Sequence, residues 1–403
     1  MESLMYPAYQ KYYSALCNLK RFSVENNFFD NISCLDNFFS EYRSVTLVLQ
    51  KSIAHTAYKQ VYDELSKDIW DKFFNEQRVK SIHIHPVEFK KKITITIYKP
   101  YDCSVFLSKE YTIDNDIILK DLFKTIKQEF DGFKMNEIFF SAKFLFLEKE
   151  TNVDIWDKII DGLSTMKNFM DKMYSKINQD CELCEHLRKE ISKMEFSNFT
   201  KEFMLIQDYV YYSKKNSFER SKINMLATYP PETKFNLDNI KKSSELFHGR
   251  TIFQKFILLN VLLKTTDLMP TIMTVFNDNS YKISMFQSDI KTTLYRKINN
   301  VAEEIKDNQI KEVYVMCTYV AVNYEKDIEY LTSKEREDKG INEYLTFMKI
   351  DHYLNEEEYV FDGKFIENDE YILKQLRSKK HNKLNFGYRN MLPIIKAFEN
   401  LTK

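Results

Sequence analysis

NEQRVKSIHIHPVEFKKKITITIYKP, residues 75–100, changes texture at Pro86, and that change divides the fold. Upstream, Val61, Leu65, Ile69, Trp70, Phe73 and Phe74 recur at the spacing of one face of a helix. Downstream, KKITITIYKP alternates β-branched residues with polar ones until Pro100 closes the run, which is the pattern of a strand. The helical period extends back through Phe28, Ile32, Leu35, Phe38, Phe39, Tyr42 and Val45, and before that through Tyr9, Tyr12, Tyr13, Leu16 and Leu19. Residues 1–90 are therefore expected to form an up-and-down helical bundle.

The stretch 91–150 reads as a β-containing connector, with a helix near 116–130 and a strand in the aromatic run NEIFFSAKFLFLEKE. From Val153 to about Lys215 a helical stripe returns, and its Met and aromatic positions are core rather than cofactor contacts. Residues 216–245, with Pro230 and Pro231, read as a loop that ends this 151–245 region. A last domain, 246–403, contains TIMTVFNDNSYKISMF, two alternating runs around a turn-tolerant Asn-Asp-Asn-Ser. A helix and the strands EVYVMCTYVAVNY and EYLTFMKID follow it. Strand, strand, helix, strand, strand is the order of an antiparallel α+β domain, so the fold class is multidomain α+β.

Composition narrows the function. The 403 residues are 44% hydrophobic, with 32 Phe and 26 Tyr, enough to bury several cores. Basic and acidic residues balance at 59 each, so any nucleic-acid site has to be local. The six glycines stand apart, which removes the glycine-rich loops of dinucleotide-binding proteins, P-loop enzymes and kinases. The start lacks a basic segment followed by an apolar run, no apolar stretch is long enough to span a bilayer, and the six cysteines have no disulfide-framework spacing. These features predict a cytoplasmic protein with no membrane association. The richness in Lys, Asn, Ile, Tyr and Phe matches an AT-rich, bacterial genome.

The candidate chemistry is Arg78, His83 and His85. Arg78-x4-His83, at the end of a compact helical region, resembles the motif of the HEPN superfamily of bacterial toxins and antiviral ribonucleases; the resemblance covers about residues 5–90. LKRF and LDNFFSEYRSVTLVLQ are also similar to segments of an uncharacterised bacterial family. The HEPN resemblance implies a metal-independent endoribonuclease effector of toxin or phage-defence type, working without a cofactor. Arg78 would grip the scissile phosphate, and His83 or His85 would act as general acid or base, leaving a 2′,3′-cyclic phosphate. It also implies a homodimer through the N-terminal helices, RNA as substrate and a protein partner or antitoxin. Two features depart from the pattern. Val79 stands where a polar residue is common. On a straight helix, His83 lies about 140° and His85 about 340° from Arg78, so His85 is nearer Arg78's face, although Pro86 makes an irregular helix end.

The competing reading is a solvated basic helix terminus, in which Arg78, Lys80, His83 and His85 face the last carbonyls, within a noncatalytic interaction or RNA-binding protein. Lys80, together with Lys291, Arg296 and Lys297 in SDIKTTLYRKIN, forms the weaker set of phosphate-binding candidates. His248, before Gly249 and Arg250, is expected in a loop or capping role. Cys181-x2-Cys184-x-His186 has the spacing of half a zinc site and no second half nearby, so it reads as thiols in a helical core and no metal is expected.

Overall fold

The computed structural model describes residues 3–69, 72–100, 102–113, 119–130, 136–194, 196–221, 225–229, 248–261, 269–307, 309–322, 332–377 and 388–401. Trp70, Pro230 and Pro231 lie outside them. The protein is a multidomain α+β chain whose described strands form a five-stranded sheet, in the order Val105–Ile113, Phe89–Tyr98, Glu137–Glu148, Ile206–Tyr212 and Ser217–Arg220, and a six-stranded sheet, in the order Glu356–Asp362, Gly340–Asp351, Ile310–Val322, Thr271–Phe276, Tyr281–Gln287 and Met225–Tyr229. Contacts divide it into two compact units. One comprises residues 1–94, 109–132 and 142–206, and the other 95–108, 133–141 and 207–403.

The first unit is built on helices α1 (Tyr6–Lys20), α2 (Phe28–Ile53), α3 (Tyr58–Leu65), α4 (Lys72–His83), α5 (Leu119–Phe130), α6 (Ile155–Ile177), α7 (Glu182–Lys193) and the short α8 (Lys201–Leu205). Local signals set their ends. Asn27 caps α2 by accepting the Asp30 amide at 2.9 Å, and Asp154 caps α6 by accepting the Trp156 amide at 2.9 Å. Asn178 then stops α6 in the left-handed conformation. The apolar stripes of α1 and α2 pack on each other, while α3 packs on α6 and α7 on α1. The contacts thus partition the chain differently from the 1–90 and 151–245 segments of the sequence reading: helices from both build one bundle.

A single close approach shows how tightly. The rings of Tyr42 on α2 and Phe74 on α4 stack at 4.4 Å, and the Tyr42 hydroxyl donates to the Gly162 carbonyl on α6 at 2.7 Å. Only a glycine permits this, because a Cβ at 162 would stand 2.7 Å from Phe74 Cε2.

Strands β1 (Phe89–Tyr98) and β3 (Glu137–Glu148) fall where alternation and aromatic density put extended chain, and β2 (Val105–Ile113) is a further strand of the connector. The helical reading of 153–215 fails at its end. Residues 206–220 form the hairpin β4 (Ile206–Tyr212) and β5 (Ser217–Arg220), because IQDYVYY is a β-branched and aromatic run whose side chains pack on a pleated surface. The expected loop at 216–245 likewise contains β5 and β6 (Met225–Tyr229).

In the second unit, β7 (Thr271–Phe276) and β8 (Tyr281–Gln287) form the expected hairpin, with Asn279 at positive φ in the turn. Strands β9 (Ile310–Val322), β10 (Gly340–Asp351) and β11 (Glu356–Asp362) extend the sheet, and every pairing described in it is antiparallel. Helices α9 (Ile252–Val261) and α12 (Asp369–Arg377) pack on one face, α10 (Thr292–Asp307) and α13 (Leu392–Leu401) on the other; α11 (Ser333–Asp338) is a short capped turn. Successive residues of β9 therefore enter different cores: Val313, Val315 and Cys317 one, Tyr314 and Met316 the other. This two-sided burial explains why VYVMC is apolar without alternation.

Gly162→Ala is expected to lower unfolding stability by about 1–3 kcal/mol from overpacking, against the about 1 kcal/mol that alanine gains in an unstrained helix. Urea denaturation of the two proteins measures it, and a more stable variant would mean that α6 does not approach Phe74 so closely.

Candidate functional site

Helix α4 positions the sequence-predicted residues. Its inner face buries Phe74 and Gln77, with Arg78 at the edge of that face and Val79 and His83 outside it. The helix ends at His83, after which the amides of Ile84 and His85 both donate to the Lys80 carbonyl at 2.9 Å. Arg78 and His83, about 140° apart on the helix, point to different flanks.

A second arginine, Arg43, lies near enough to Arg78 for their charges to interact. The Arg78 Nε is buried and makes no hydrogen bond among the described residues. Arg43, two helical turns beyond Asp36 on α2, is buried, with Nη1 bonded to the Thr46 hydroxyl and Nε donating to Asn75 at 3.4 Å. Burial pushes the Arg43 guanidinium down from its ordinary value, and the nearby Arg78 charge adds to that. Two guanidiniums brought together from α2 and α4 make a local electropositive spot in a chain with no net charge. Arg43 carries no motif spacing to Arg78, so the sequence alone did not reveal it.

His85 lies farther along the same α2 flank. Its Nδ1 donates to the Pro86 carbonyl at 2.8 Å, leaving Nε2 of the neutral ring as the acceptor. It stands close enough to Asp36 and Glu88 to act on both carboxyls. Burial raises the Asp36 carboxyl above its ordinary value, against the Val87 amide at 2.9 Å and the His85 ring, which pull it down. If α2 is taken at its regular rise, the seven residues from Asp36 to Arg43 put the His85 and Arg78 ends of this flank about 10 Å apart.

His83 instead shares the outer surface with Val79, Ile82 and Ile84, whose side chains are 38, 46 and 68% exposed. Three exposed aliphatic residues within six positions make an apolar patch at the helix end.

Lys80 is committed elsewhere. Its ammonium pairs with Glu148 at 3.2 Å and Glu150 at 2.5 Å, joining α4 to the end of β3. Burial pushes the Glu148 carboxyl up, but the Thr151 amide and hydroxyl and the Lys80 ammonium outweigh it and hold it below the usual glutamate value.

The fold divides the second basic group. Arg296 is buried on α10 and bonds Asp208 of β4 through both Nε and Nη2, each at 2.9 Å. Lys297 is also buried, and Lys291 stays exposed before the first turn of α10. The helical period explains the division: Tyr295, Ile298, Ala302 and Ile305 turn α10 onto the sheet, and Arg296 and Lys297 turn inward with them. His248 is exposed. Cys184 is buried, Cys181 caps α7, and His186 is exposed. Among the described residues no group of three or more His, Cys, Asp or Glu side chains could hold a metal, and no helix is long and apolar enough to cross a membrane.

Because the folded state favours the Glu148 carboxylate, its contribution is complete above the unfolded glutamate value of about 4.3 and is lost as pH falls through the lower folded value. Glu148→Gln should cost about 1–3 kcal/mol at pH 7, and the gap from the parent protein should narrow on acidification below that value. Chemical denaturation at the two pH values measures it; a gap independent of pH would contradict the assignment. No family model, curated protein or solved structure matches the chain.

Proposed function

We propose that this chain is a HEPN-like, metal-independent endoribonuclease effector of bacterial toxin or phage-defence type, with Arg78 binding the scissile phosphate and His85 moving the proton. The supporting observation is Arg78 itself: a partly buried residue whose enclosed Nε makes no hydrogen bond among the described residues, near enough to Arg43 for the two charges to act on each other. A phosphate would neutralise this like-charged pair. With Nδ1 donating to the Pro86 carbonyl, the His85 ring presents Nε2 as the atom that would accept a proton from a ribose 2′-hydroxyl. The apolar patch of Val79, Ile82 and Ile84 is where a second copy would dock, bringing two α4 ends together.

The same patch favours a second reading, a noncatalytic protein that binds RNA or a partner through this surface. It requires no histidine.

Total-RNA cleavage by the purified protein, with Arg78→Ala, His83→Ala and His85→Ala and folding checked by circular dichroism, tests both readings. The nuclease reading expects 2′,3′-cyclic phosphate ends and a loss of about 100-fold or more for Arg78→Ala and His85→Ala, with a smaller loss for His83→Ala. Loss confined to His83→Ala would move the proton-carrying role to that residue. RNA bound but uncut by the parent protein, with binding weakened by Arg78→Ala, would replace the nuclease by the binding module.

A further inference from the structure

Helix α7 opens on Asp180, Cys181, Glu182, Leu183 and Cys184. Cys181 is its N-cap: the backbone there is extended rather than helical, and its sulfur accepts the Cys184 amide at 3.2 Å. Cys184, one turn on, is fully buried, with its sulfur 3.1 Å from the Ser3 hydroxyl. The two thiols thus differ in access, Cys181 partly exposed and Cys184 enclosed. Cβ atoms three residues apart on a helix lie about 5–6 Å from each other, and a disulfide needs about 4 Å. Cys181, outside the helical backbone, supplies the freedom to close that gap.

We propose that Cys181 and Cys184 form a thiol–disulfide exchange site whose substrate is a small-molecule disulfide. The Cys181 thiolate attacks one sulfur of the disulfide, forming a mixed disulfide and releasing one small thiolate. Cys184 then gives up its proton and attacks the Cys181 sulfur, closing the Cys181–Cys184 bond and releasing the second thiolate. Two protein thiols become one disulfide, and the small disulfide becomes two thiols, taking up two electrons and two protons. The environments suit these roles. Burial pushes the Cys181 thiol up, but the Cys184 and Ser3 side chains and the amides at the start of α7 outweigh it and hold it below the ordinary value, as an attacking thiol requires. Burial pushes the Cys184 thiol up to about 11, which keeps it protonated until the mixed disulfide forms beside it. Cys34, Cys103 and Cys317 are buried, and Cys17 is the other partly exposed thiol, so it serves as an internal control.

The full-length protein would be equilibrated with oxidised and reduced glutathione over a range of ratios, quenched by alkylation and mapped by peptide mass spectrometry. The expected product is a peptide spanning residues 181–184 that has lost two hydrogens and regains them with dithiothreitol. In Cys184→Ser, glutathione should remain trapped on Cys181, forming at least about tenfold faster than on Cys17. Thiols at 181 and 184 that stay alkylatable at every ratio, or glutathione that adds first to Cys17, would overturn the proposal. The parent-protein measurement decides the matter by itself should the variant fail to fold.

Discussion

The absent side chain of Gly162 is the constraint on which the helical unit depends. It lets the stacked Tyr42 and Phe74 rings lie against the α6 backbone, with the Tyr42 hydroxyl on the glycine carbonyl. That contact fixes α4 between α2 and α6 and so determines which side of α4 is inside. Arg78 falls at the edge of the inner side, and His83 falls outside. The candidate site is in this sense a by-product of aromatic packing: the helix rotation that buries Phe74 and Gln77 also brings Arg78 to Arg43.

Charged residues in this chain divide by what meets them. Lys80 and Arg296 were grouped in the sequence with phosphate-binding candidates, yet each is bound to carboxylates, Lys80 to Glu148 and Glu150, and Arg296 to Asp208. Removing either cation leaves a carboxylate without its partner, at the greatest cost for the buried Arg296, so these contacts stabilise the fold. Arg78 differs because its buried Nε has no hydrogen-bond partner among the described residues. A like-charged neighbour and an unfilled donor are both unfavourable.

The second unit balances its sheet between two helical layers. Residue parity along β7, β9 and β10 assigns side chains to one core or the other, with Ile272, Val315 and Ile350 opposite Met273, Met316 and Phe347. The buried Arg296–Asp208 pair ties α10 to β4 with two donors on one carboxylate, a geometry that fixes the angle of the guanidinium plane as well as its distance.

The sequence by itself determined the elements whose signals are local. The proline after the Arg-His stretch marked the change from helix to strand, the Asn-Asp-Asn-Ser turn predicted β7 and β8, and the strand-helix-strand order predicted an antiparallel α+β domain. It misjudged residues 206–220, where a helical stripe carried on to about 215 and a loop read from 216 prove to be a hairpin. Tertiary structure alone decided that helices from both sides of the β-rich connector share one bundle, that Arg43 meets Arg78, and that Arg296 is spent on Asp208. The reason is physical. Periodicity and turn chemistry act over a few residues, whereas the partner of a guanidinium is chosen by packing between segments 35 to 88 residues apart, and no local pattern in the chain encodes that distance.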